Sequence, residues 1–322
     1  MSKFAALFAL LVAALACGLF AAPAQAQRAR VFVASYGSDS NPCTFGSPCK
    51  TFQRAHDAVA AGGEITAIDS AGFGPIAISH AVTITSPAGI EAGIQAVSGG
   101  NAITVNPSAS ITVTLHGLTL EGSGVGQNGI ALTATAPGTL NIIDCVVNGF
   151  ISTGILATPA YSGNNEPFGN LLIADSVVLN NGSSGIKIAS QNVSTELQFR
   201  IDRTLVANNG TSGNDGGIVI DSGSGFHYGT ISSVAAEMNS VALNFTGSGG
   251  VGVTRLRNST LENSHQPSGA GPDLVLPNNG EQVYLFDSNQ ITVISNQGNM
   301  FSDGTNDIID VVGNSPAAFA RQ

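Results

Sequence analysis

Residues 171–188 read LLIADSVVLNNGSSGIKI, and the fold turns on how this stretch is read. Apolar residues alternate with period two, break at Asn180-Asn181-Gly182, and resume at Gly185-Ile186. Such alternation indicates short strands, because a helix repeats its apolar face every three to four residues. The DSVVLN core (175–180) has near copies at NSVALN (239–244) and NSTLEN (258–263), and looser ones at DCVVNG (144–149) and RTLVAN (203–208). A second series pairs glycine with an aliphatic residue at 129–130, 154–155, 185–186, 217–218 and 250–251. Its members fall 25, 31, 32 and 33 residues apart. Repeats of this length signal a solenoid. Three short strands and their turns use about 25–30 residues, and stacking such coils at ~4.8 Å buries their apolar faces in one continuous interior. Asn recurring at a turn fits the same picture, since stacked Asn side chains bond along a ladder and tolerate left-handed backbone.

The chain has 322 residues and opens with MSKFAALFALLVAALACGLFAAPAQAQ. Lys3, an apolar run from Phe4 to Phe20 and the Ala24-Gln25-Ala26 site mark residues 1–26 as a signal peptide, with a soluble, exported protein expected beyond it. An uncleaved membrane anchor is the weaker alternative. Charged residues make up only 10% of the chain and hydrophobic ones 43%, which excludes a disordered tail. The formal charge of −10 disfavours nucleic acid as a partner and repels polyuronate chains unless a divalent cation intervenes. Cys43 and Cys49 in NPCTFGSPCK are expected to form a disulfide that staples a loop, and Cys145 to be a buried, unreactive thiol.

TFQRAHDAVAAGG (51–63) departs from the strand pattern. Thr51 as N-cap, Phe52, Ala55 and Val59 on one face, and Gly62 as C-cap predict a short helix covering the open end of the solenoid. The expected organisation is an N-terminal cap over 27–63, a parallel β-helix of about eight coils over 64–314 and a frayed tail over 315–322.

The segment VFVASYGSDSNPCTFGSPCKTFQRAHDAVAAGGEITAID (31–69), followed by these coils, resembles secreted bacterial right-handed parallel β-helix proteins of the pectin-lyase-like superfamily. The resemblance covers essentially the whole chain after residue 26. It implies an all-β, right-handed, single-stranded parallel β-helix. Characterised members, among them pectate lyases, polygalacturonases, epimerases and phage tailspikes, act on or bind polysaccharide along an outer face.

The polygalacturonase residues do not carry over. Asn214-Asp215-Gly216-Gly217-Ile218 echoes one motif, but there is no Asp-Asp pair, His227 in GFHYG lacks its flanking glycines, and RIDR (200–203) has no lysine. Asp215 and Asp221 are six residues apart, roughly 20 Å in an extended strand, whereas glycosidase carboxylates sit about 5–9.5 Å apart. Alignment on the Gly–aliphatic pairs sets Asp221 beside Ala189 and Thr254, and Lys187 beside Val219. The catalytic candidates are therefore a thin polar cluster, Lys187, Asp215, Asp221, His227 and Arg255, against the plainer reading of solvated strand edges and a loop histidine. Arg200, Arg203, Arg255 and Arg257 could supply the base of a β-elimination lyase, but their alternation along LQFRIDR and VTRLRNS indicates an exposed face of adjacent strands instead. Without Trp, the aromatic candidates for sugar contact are Tyr161, Phe168, Phe226 and Tyr228 in loop-like stretches. DGTNDIID (303–310) gathers oxygen donors of a kind that suit Ca²⁺, yet reads better as a polar closing loop, and no metal or other cofactor is expected. His56, His80, His116 and His265 show no zinc spacing. Together these features predict a non-catalytic, secreted β-helix presenting a long face for glycan or surface contact. The alternative is a polysaccharide lyase or glycoside hydrolase.

Overall fold

The computed structural model describes residues 28–136, 138–160, 169–189, 196–211, 215–221, 223, 225–247, 251–262, 272–276, 282–287, 289–296, 299–313 and 316–318. The signal segment 1–26, Tyr161, Phe168 and His265 lie outside them. Every strand pairing is parallel, and the strands form three ladders along a parallel β-helix. The first ladder is a 12-stranded sheet running from Arg28–Val33 to Ala317–Ala318. The other 18 strands make the second and third ladders, which join at Gln290–Asn296 and Asp307–Gly313, each long enough to serve both. One coil illustrates the rest: Glu196–Asp202 in the first ladder, Leu205–Ala207 in the second and Gly216–Asp221 in the third.

The interior is a set of stacked aliphatic rows. Ile130, Ile155, Ile186, Ile218 and Leu243 lie opposite one another on successive rungs, all buried. Each such side chain contributes about 1.5–3 kcal/mol by leaving water. The last member corrects the Gly–aliphatic alignment: the rung after Gly217-Ile218 is Ala242-Leu243, and Val251 belongs to the first ladder, opposite Phe226. Asp221 accordingly faces Thr246 rather than Thr254. NSVALN misleads in the same way. Its Asn239 stacks on Asn209, while Asp175 and Asn258 of the two similar hexads sit at the preceding corner.

Two corners are built from left-handed residues. At the first, Asp144, Asp175, Arg203, Ser233, Asn258 and Asp287 all have φ between 45° and 55°. Asp175 there accepts two bonds from Arg203, at 2.7 and 2.8 Å, and these hold its carboxyl below the usual range. At the second corner, Asn180 and Asn208 are left-handed, and their side chains run as an exposed chain from Asn208 to Asn180 to Asn148. Beside it, Asn181, Asn209 and Asn239 form a buried ladder.

The helix is shorter than predicted. It spans Phe52–Ala58, with Thr51 Oγ1 accepting the Arg54 N–H, and ends at Val59 instead of Gly62. Val59 is β-branched and fully buried, and it begins the strand Val59–Ala67. Phe52 packs on Phe73 at 5.0 Å, and His56 is 1% exposed. Cys43 and Cys49 are disulfide-bonded, and their loop covers the outer edge of Arg28–Val33. Phe32 N–H donates to Cys43 O, Cys49 N–H to Phe32 O and Ala34 N–H to Cys49 O, at 2.9–3.0 Å. Among the described residues no helix is long and apolar enough to cross a membrane.

One inward position is held open on purpose. In the strand Phe226–Ser232, Gly229 faces the interior, and a methyl placed there would sit 1.8 Å from Cζ of Phe199 on the preceding rung. Gly229→Ala is expected to destabilise the protein by about 1–3 kcal/mol through overpacking. Thermal unfolding of Gly229→Ala, Phe199→Leu and the double variant checks this: the double variant should be less destabilised than the two single losses added together.

Candidate functional site

The outward residues gather at two places. On the third ladder, Lys187 Nζ lies 4.0 Å from Asp221 Oδ2, both about a third exposed. Lys187 sits opposite Val219, and Ala189 opposite Asp221, as the sequence register indicated. Asp215 lines the same cavity of about 260 Å³, together with Thr153, Thr158, Ser183 and Ser184. Asp215 precedes the strand Gly216–Asp221 and Asp221 ends it, so the two carboxylates mark opposite ends of that cavity wall. At roughly 3.3 Å per residue they do not form a glycosidase pair.

The second place is a groove of about 360 Å³ on the outer face of the first ladder. Its walls include Asn141, Asn170, Gln198, Arg200, Tyr228, Thr230 and Arg255. The alternation of each strand puts these side chains outward, while Leu197, Phe199, Ile201 and Ile231 fill the interior. Tyr228 and Phe226 are 44% and 43% exposed, in a strand and not in a loop as expected. Arg255 has no ion-pair partner among the described residues, whereas Arg200 reaches Asp202 at 3.2 Å. Beyond the groove the same face continues as aromatic surface. Tyr284 stacks on Phe301 at 4.8 Å, and Arg257 lies 4.6 Å over the Phe286 ring.

The five catalytic candidates therefore do not converge. Lys187, Asp215 and Asp221 share one cavity, and Arg255 lines the groove on a different ladder. His227 is 1% exposed and points into the core 6.0 Å from Phe199, so it belongs to neither place. Its parity decides this: in extended FHYGTIS, Phe226 and Tyr228 face out and His227 faces in. Asp303 is occupied in a turn, accepting bonds from Thr305 N–H, Thr305 Oγ1 and Asn306 Nδ2. Among the described residues no group of three His, Cys, Asp or Glu is arranged to hold a metal. Cys145 is buried, and its thiol is pushed up to about 11, chiefly by burial. Such a thiol stays protonated and unreactive at neutral pH.

No protein-family model and no curated protein matches the chain. Among solved structures it is similar to pectate lyase Pel9A, with a TM-score of 0.50 at 12% identity, over 90% of this chain and 80% of that one. The chain thus has the parallel β-helix fold found in a pectate lyase. At this identity the likeness extends to the fold alone.

Proposed function

We propose that the protein is a secreted, non-catalytic glycan-binding β-helix that holds polysaccharide in the groove of its first ladder. The observation that carries this reading is the convergence of Tyr228, two arginines and three side-chain amides on one outward groove. An exposed ring supplies a flat apolar surface for the C–H face of a sugar, and guanidinium and amide groups donate to hydroxyls and carboxylates. Among the described residues the lining holds no carboxylate, lysine or histidine, and its basic groups are Arg200 and Arg255. Tyr228→Ala is expected to weaken binding to the best ligand of a soluble-polysaccharide panel by about tenfold or more, read by affinity electrophoresis. Unchanged mobility shifts with this variant would remove the groove from the reading. Export is supported by the Lys3-to-Ala26 signal pattern and by the Cys43–Cys49 disulfide. N-terminal sequencing of the exported chain should begin at Gln27.

A second reading, a polysaccharide lyase or hydrolase, draws on the fold shared with a pectate lyase and on Lys187, Asp215 and Asp221 lining one cavity. Its test is direct: purified protein incubated with polygalacturonate and other glycans, with and without Ca²⁺, would release unsaturated or shortened oligosaccharides.

A further inference from the structure

The spacing of charge along the groove narrows the kind of polymer it fits. Asn141, Leu172, Arg200, Thr230, Arg255 and Tyr284 stand opposite one another on successive strands of the first ladder. Arg200 and Arg255 are therefore two rungs apart, about 9–10 Å at the ladder spacing. Neutral Thr230 stands between them. The neighbouring outward row, Asn170, Gln198, Tyr228 and Val253, has no charge at all. Carboxylates flank Arg200 on its own strand, Glu196 toward one end and Asp202 at the other. Asp202 is bound by Arg200, Arg203 and Ser232, while Arg255 has no acidic partner among the described residues. The groove thus offers two cations two rungs apart, with hydrogen-bonding or apolar surface between and beyond them.

An extended pyranose chain advances by nearly one strand spacing per residue, so a polymer lying along the axis presents one sugar to each rung. Resting on the glycan-binding reading above, we infer that the groove selects an acidic polysaccharide with one anionic group per disaccharide repeat. Successive anions meet Arg200 and Arg255, and the uncharged sugar between them lies over Thr230 beside Tyr228. A homopolyuronate fits less well. Its intervening carboxylates would lose water against Thr230 and Leu172 without a cation in return, in a protein of net charge −10.

The experiment compares three probes at one low ionic strength by affinity electrophoresis and titration calorimetry. They are hyaluronan with one carboxylate per disaccharide, polygalacturonate with one per residue, and hydroxyethyl cellulose with none. The expected order puts hyaluronan about tenfold or more ahead of polygalacturonate. Arg255→Gln should remove most of that advantage while leaving the thermal unfolding midpoint unchanged, since Arg255 is exposed and has no ion-pair partner among the described residues. Thr230→Lys, which fills the empty rung, should raise affinity for polygalacturonate and narrow the gap. Polygalacturonate binding as tightly as hyaluronan, or tighter, overturns the charge-spacing inference and leaves the glycan-binding reading standing. Equal binding of the neutral polymer does the same. Failure of all three probes to bind overturns both.

Discussion

Replacing Asn209 with alanine is expected to cost about 3–4 kcal/mol, far more than any exposed asparagine of the same turn. Asn209 is fully buried, and its side chain is the middle link of the inner Asn ladder. Its Oδ1 accepts the Asn181 N–H at 3.0 Å and Asn181 Nδ2 at 2.8 Å. Its Nδ2 donates to Val178 O, Ala207 O and Asn239 Oδ1 at 2.9–3.1 Å. Alanine leaves the Asn181 backbone N–H and amide without their acceptor inside a buried corner. Each orphaned group costs about 1–3 kcal/mol, and the lost volume adds a cavity term. Asn208, one residue earlier, makes the contrast. It is exposed and left-handed at φ 55°, with one side-chain bond to Asn180 at 2.6 Å. Asn208→Gly should change stability by only a few tenths of a kcal/mol, because glycine suits that backbone. Equilibrium denaturation of both variants decides the matter: a loss below about 1 kcal/mol for Asn209→Ala would mean the ladder does not stabilise the corner.

Acidification should loosen the N-terminal end, beginning above the usual carboxylate range. His56 is 1% exposed, stacks on His80 with ring centres 3.8 Å apart, and accepts the Ser79 N–H at 3.1 Å through Nε2. Burial first, and then the neighbouring His80, push its pKa down from 6.5 to about 4, against the opposing charge of Asp57. The folded pKa lies below the unfolded one, so the unfolded chain binds more protons throughout that interval. The neutral ring's contribution is fully present above pH 6.5 and is lost as pH falls from 6.5 to about 4. A shift of this size corresponds to about 3 kcal/mol. The Asp175 carboxyl, held below its usual range by the bonds from Arg203, adds its own loss only at lower pH. Unfolding midpoints measured across this interval should fall for the native chain and stay nearly flat for His56→Gln, whose neutral amide can still accept from Ser79. Parallel slopes in the two proteins would count against the histidine as the cause.

The solenoid was legible because its physics is local. Period-two alternation, asparagines at corners and Gly–aliphatic strand starts each report a few residues at a time. The alignment failed where two ladders use the same device: small residues open strands in both, so Gly250-Val251 passed for the rung after Gly217-Ile218. His227 was misread for a related reason, since Phe226, His227 and Tyr228 passed for a connection between strands where the chain is extended. The groove was nearer to hand than those cases. Counting back three residues from each first-corner residue, Asp144, Asp175, Arg203, Ser233, Asn258 and Asp287, gives Asn141, Leu172, Arg200, Thr230, Arg255 and Tyr284. The signal was the corner, and Arg203 and Ser233 hid it by standing where Asn or Asp is usual.

The disulfide loop has a consequence for the molecule's surroundings. A parallel stack has no intrinsic last member, and whatever strand ends it remains a template for another. Here the template is occupied by backbone from the Cys43–Cys49 segment, held in place by a bond that thiol reductants cleave. In an oxidising medium the molecule is a finished object at that end. In a reducing one, cleavage of that bond frees the segment to leave, and Phe32 and Ala34 lose the backbone partners that now cover the edge.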